Sequence, residues 1–179
     1  MMRVRGTLFV CAAAALVQIS SCSTAVPPAP APAPKVQASL NQVMQGIVFP
    51  SANVVFAAQD DLGKFPPAED PGLSPNPITS AYGQWQAVEN AALALSEAAN
   101  LLILPGRLCS NGAPVPVQRQ DWAKYVQQLR DAGMAAYKAA QSKSQDAMTK
   151  VSDTVTDACS DCHNAYRDKP GGEKARCLP

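Results

Sequence analysis

The chain of 179 residues has a single histidine, His163. That scarcity excludes any site that needs two imidazoles, whether as paired metal ligands or as an acid/base group opposite a ligand. Strand-like alternation of apolar and polar residues is missing as well, so a βαβ redox fold has no support. Neither sign of charge dominates. The formal net charge is +1, and residues 22–179 carry 13 Lys+Arg against 14 Asp+Glu, which gives no footing for nucleic-acid binding. The one apolar stretch near the N-terminus, residues 6–19, is too short to span a bilayer comfortably.

What is present is concentrated near the C-terminus, in the run Cys159-Ser160-Asp161-Cys162-His163. Two thiols three residues apart lie on one side of a helical turn, and a histidine four residues after the first falls on the same face. The pattern C-x-x-C-H reads as covalent attachment of one c-type haem, with Cys159 and Cys162 forming thioethers and His163 reaching the iron. A thioredoxin-like dithiol would need a strand context that this chain lacks. A structural zinc site remains the other reading, with Cys109 and Cys177 joining Cys159 and Cys162 as four ligands.

Attachment of c-type haem requires export, and the N-terminus reads as a signal for it. A basic start, MMRVR, precedes the short apolar stretch, so residues 1–21 are expected to be a signal peptide. The residues Ile19-Ser20-Ser21-Cys22 resemble a bacterial lipobox, which makes Cys22 the lipidated new N-terminus; the alternative is ordinary cleavage near residues 23–25. Residues 22–35 include VPPAPAPAP, a Pro/Ala tether of polyproline II character. The expected location is the periplasm of a Gram-negative bacterium, as a membrane-anchored lipoprotein, with residues 36–179 as the folded domain. With Cys11 in the signal, Cys22 lipidated and two cysteines on haem, Cys109 and Cys177 are left as candidates for a disulfide.

From residue 36 onward the apolar period is helical. Leu40, Val43, Met44, Ile47 and Val48 start one stripe, which Val54, Val55 and Ala58 carry past a bend expected at Pro50. Residues 59–78 are rich in Pro and Gly and read as a long loop, ordered against the helices or functional. A second helix is expected from Thr79 or Ser80, either of which can cap it, to the stop at Pro105-Gly106. A third covers residues 117–142, with Trp122, Val126, Leu129, Gly133, Ala136 and Ala140 on one face. A fourth follows the turn at 142–146, carries Met148, Val151, Val155, Cys159, Cys162 and Tyr166, and ends at Lys169-Pro170-Gly171-Gly172. The expected fold is all-α, an antiparallel up-down-up-down four-helix bundle with one covalently bound haem.

That topology sets depths. Met44 lies about 12 Å from the end shared by the start of helix 1 and the end of helix 4, and His163 about 8 Å from it, at 1.5 Å per residue. Cys109 and Cys177 fall at the same end, where a disulfide would close a loop of about 68 residues and contribute on the order of 4 kcal/mol.

A C-terminal C-S-D-C-H followed by Tyr166-Arg167, at the end of a four-helix pattern, resembles the class II c-type cytochromes, the cytochrome c′ and c-556 group, over roughly residues 36–169. The resemblance implies thioethers at Cys159 and Cys162 and His163 as proximal ligand. It also implies a distal residue from helix 1, either a methionine that ligates iron for electron transfer or an apolar residue that leaves iron five-coordinate and open to NO or CO. Met1 and Met2 leave with the signal, Met148 is about 22 Å along helix 4 from His163, and Met134 is far along helix 3. Met44 is therefore the expected sixth ligand, with core packing as its ordinary alternative. Arg167 can pair with a haem propionate, with Arg107 as a weaker candidate. Trp122 and Tyr125 are expected near the haem end and Trp85 near the other. The function implied is one-electron transfer, not enzymatic catalysis, with periplasmic redox proteins as partners, the membrane through the lipid anchor, and a homodimer allowed by the resemblance. Pro50, the long 59–78 segment and the Cys109/Cys177 pair depart from the family pattern.

Overall fold

The computed structural model describes residues 34–178. The expected signal peptide, Cys11, Cys22 and residues 22–33 of the tether lie outside the described residues.

The first helix, α1, is built of three consecutive segments, Leu40–Val43, Met44–Val48 and Phe49–Ala57. It starts four residues later than the apolar period suggested, because a reciprocal cap defines its entry. Ser39 Oγ accepts from the Gln42 amide at 3.3 Å while Gln42 Oε1 accepts from the Ser39 amide at 2.8 Å. The middle segment is a π-helical turn in which the Phe49 amide donates to Met44 O. Pro50 explains its position: a proline has no N–H to donate back and its ring would strike the carbonyl four residues earlier, so a widened turn lets the helix pass through.

Residues 58–84 are ordered by three short 3-10 turns, Leu62–Lys64, Pro71–Leu73 and Pro77–Thr79. Each is capped by an Asx side chain: Asp61 on the Gly63 amide, Asp70 on the Gly72 amide and Asn76 on the Ile78 amide. Leu62 and Ile78 anchor the segment in the core. The second helix, α2, begins only at Trp85 and runs Trp85–Leu102, which corrects the expected start at Thr79 or Ser80. The Ser80 hydroxyl is spent on Pro77 O at 2.8 Å, within the preceding turn. The chain then folds back so tightly that a Cβ on Gly83 would lie 2.4 Å from Ile78 O, a closeness only glycine permits.

The third helix, α3, spans Gln120–Gln141 and the fourth, α4, Gln145–Tyr166. Ser144 caps α4 by accepting from the Ala147 amide at 3.2 Å, one residue after Lys143 turns the chain at positive φ. The four helices pack together, α1 against α2 and α4, α2 against α3, and α3 against α4. Their shared core includes Val55, Val88, Leu95, Trp122, Met148 and Val155, all essentially inaccessible to solvent. Among the described residues there is no strand, only an isolated antiparallel bridge between Leu108 and Pro114, and no helix long and apolar enough to cross a membrane.

α2 and α3 approach tightly at Gly133, where a Cβ would sit 2.6 Å from the Ser96 amide nitrogen and 3.0 Å from Ala92 O. Both obstacles are backbone, so neither can swing aside. Gly133→Ala is expected to cost about 1–3 kcal/mol by forcing the helices apart, read as a lower urea midpoint; an unchanged midpoint would contradict this close contact.

Candidate haem site

Along α4 the apolar stripe Val155, Ala158, Cys162 and Tyr166 runs beside a second line in which Cys159, His163 and Arg167 recur every four residues, so all converge on one face. That face borders a cavity of about 590 Å³, within the roughly 300–1,000 Å³ range of sites for cofactors and other small molecules. Its α4 wall carries Ala158, Cys159, Cys162, His163, Tyr166 and Arg167. Its α1 wall carries Leu40, Met44, Val48, Phe49, Ala52 and Phe56, and Trp122, Tyr125, Val126 and Leu129 line it from α3. Met44 and His163 therefore line the same cavity, from different helices.

Aromatic contacts fix the shape of this space. Tyr166 meets Trp122 edge-to-face at 5.1 Å between centroids and Tyr125 at 6.1 Å. The polar tips are satisfied within the protein: Trp122 Nε1–H donates to Leu102 O at 3.1 Å, and Tyr166 Oη accepts from Arg119 Nε at 3.0 Å.

Electrostatics keep the reactive groups neutral. Burial pushes the Cys159 thiol up, and burial with the neighbouring Cys159 sulfur pushes Cys162 up to about 12. His163 is lowered, first by burial and then by the Arg167 guanidinium, with Asp168 opposing. The ring is thus held in the form that has a lone pair for a metal. Arg167 Nη1 lies 3.5 Å from His163 Nε2, but its guanidinium is committed to Asp168 through two hydrogen bonds, Nε–Oδ1 at 2.7 Å and Nη2–Oδ2 at 2.6 Å.

The C-terminal tail closes one end of the cavity. Cys109, in the segment between α2 and α3, is disulfide-bonded to Cys177 with their Cα atoms 6.5 Å apart. A four-cysteine zinc site would need both of these as thiolates, so it is not compatible with this pairing. Among the described residues no group of three or more His, Cys, Asp or Glu side chains is arranged to hold a metal ion by itself.

Arg107 departs from its expected role beside the cavity. It is buried, and its guanidinium donates to Leu101 O and Ala38 O, tying the end of α2 to the entry of α1. These carbonyls need a donor where the helical ladder stops or has not begun. Of the methionines among the described residues, Met134 is partly exposed and Met148 fully buried in the core, and neither lines the cavity. Trp85 does not line it either.

Sequence reasoning missed Arg176, which also lines the cavity. Its Nε is buried and, among the described residues, has no hydrogen-bond partner. The signal that could have found it is its place next to Cys177, which the cysteine count had already drawn to this end. Compared with known proteins, the chain matches no family model, no curated protein and no solved structure.

The donor set suits haem. Two reduced thiols and an imidazole share one wall, a thioether sulfur lies on another, the lining is otherwise mainly apolar, and an unpartnered guanidinium nitrogen stands ready for an anionic edge.

Proposed function

We propose that this protein is a membrane-tethered periplasmic monohaem c-type cytochrome of the cytochrome c′/c-556 kind. In this reading it is an antiparallel up-down-up-down bundle that passes one electron at a time to and from other periplasmic redox proteins. The observation that carries the reading is the convergence of Cys159, Cys162 and His163 from α4 with Met44 from α1 on one apolar cavity.

Each residue has a task. Cys159 and Cys162 would hold the haem, each thiol adding its S–H across one vinyl group to leave a thioether with no atom lost. His163, neutral and one helical turn after Cys159, would supply a nitrogen ligand. Met44 would supply a soft sulfur from α1, a ligand that favours the reduced metal and raises the potential. Trp122, Tyr125, Val126 and Leu129 exclude water, which favours the less charged reduced state in the same sense. Haem, when bound, supplies the one-electron Fe(III)/Fe(II) couple. No side chain acts as a catalytic acid or base.

The test is a pyridine haemochrome assay on protein made with a c-type maturation system and the native leader. One covalent haem per chain is expected; no covalent haem would end the proposal.

A further inference from the structure

Two guanidinium groups border the cavity near the tail, and they are not equivalent. Arg167 is neutralised by Asp168 through the two short contacts described above. Arg176 is paired only loosely, with the largely exposed Glu173 carboxylate at 3.8 Å, and Asp168, which feels its charge, spends its hydrogen bonds on Arg167. A buried guanidinium N–H without a partner is costly, and planar guanidinium is the group best shaped to bind a carboxylate. The backbone around Arg176 is held from several directions. Asn111 Nδ2 donates to Arg176 O at 3.0 Å and to Lys174 O at 3.1 Å, and the Cys177 amide donates to Tyr166 O at 2.9 Å. The disulfide to Cys109 lies at the very next residue.

We propose that Arg176, positioned by the Cys109–Cys177 disulfide, is the residue that binds a haem propionate. The tail is then part of the cofactor site, and its disulfide sets the charge felt there. This inference rests on the haem reading. It assigns the propionate to Arg176 in place of Arg167, whose guanidinium is already paired with Asp168 through two hydrogen bonds.

The experiment begins with haem content, so that the two ideas fail separately. Wild type, Arg176→Gln, Arg176→Lys and the double variant Cys109→Ser/Cys177→Ser are matured with the full-length chain and assayed by pyridine haemochrome and far-UV circular dichroism. Wild type without covalent haem overturns both ideas. With one haem per chain in each, resonance Raman reads the propionate bending mode and redox titration reads the midpoint potential. Arg176→Gln is expected to shift the propionate mode. It should also weaken reduction by about tenfold, or about 59 mV for one electron, because a positive charge that favours Fe(II) is gone. Arg176→Lys keeps the charge and should restore most of the potential but not the Raman mode. The double cysteine variant should shift both readouts in the same direction as Arg176→Gln, since the arginine is still present but has lost its covalent tether. Arg176→Gln with wild-type Raman mode and potential overturns the inference, and so does a double cysteine variant that leaves both unchanged. If Arg176→Gln fails to fold, the lysine and double-cysteine variants decide on the same readouts.

Discussion

Cys159→Ser combined with Cys162→Ser is expected to reduce covalent haem from one per chain to none. A serine hydroxyl is isosteric enough to keep the helix but does not add to a vinyl group under the same conditions, so both thioethers are lost together. The helix itself should survive, because both side chains are only partly buried and neither is held by a hydrogen bond. Each single variant should keep a haem on one thioether with one vinyl group unreacted. The unreacted vinyl moves the pyridine haemochrome band to longer wavelength, while the double variant should release all its haem into acidified solvent. Haem that stays covalent in the double variant would contradict the assignment of these two sulfurs.

The second large effect is expected from Met44→Ala. Met44 heads the π-helical turn in α1, half-buried against the core and lining the cavity across from α4. On the proposed ligation, removing its sulfur should convert a six-coordinate low-spin iron into a five-coordinate high-spin one and lower the potential. It should also open the distal side to carbon monoxide. An internal ligand that occupies the iron about 90% of the time leaves about one-tenth of the protein competent for an external one, so its removal should raise carbon monoxide affinity about tenfold or more. Titration of the ferrous protein with carbon monoxide measures this. An unchanged spectrum and affinity in Met44→Ala would place Met44 in a packing role only and favour a five-coordinate protein that binds NO or CO.

Much of this arrangement was legible because it is local. The stripes through Trp85, Val88, Ala92 and Leu95, and through Val155, Cys159 and Cys162, follow the helical repeat, so the helices and the face that carries the thiols could be read directly. The C-S-D-C-H run was legible for the same reason, its cysteines and histidine being neighbours on one turn whose side chains line one cavity. Starts were harder. Thr79 and Ser80 have the chemistry of caps, yet the Ser80 hydroxyl is taken by the turn at Pro77 and the chain makes one more tight reversal at Gly83 before α2 begins. At Pro50 the pattern signalled a disturbance but not its form, because a proline's missing N–H can be met by a kink or by a widened turn. Arg107 read as a weaker candidate for a haem propionate, and its burial depends on the nearby Leu101 carbonyl together with that of Ala38, 69 residues away. Arg176 belongs to no periodic segment at all. Its place at the cavity follows from a disulfide 68 residues in span and from Asn111, contacts that no local pattern encodes.

The most direct test of the central claim, that one iron is held between His163 and Met44, is the absorption spectrum of the matured wild-type protein in both oxidation states. The account predicts a c-type spectrum with low-spin bands in the ferric and ferrous forms, and in the ferric form a weak long-wavelength band from sulfur-to-iron charge transfer. A high-spin spectrum in either state would contradict ligation by Met44, and a protein with no haem absorption would contradict the account as a whole.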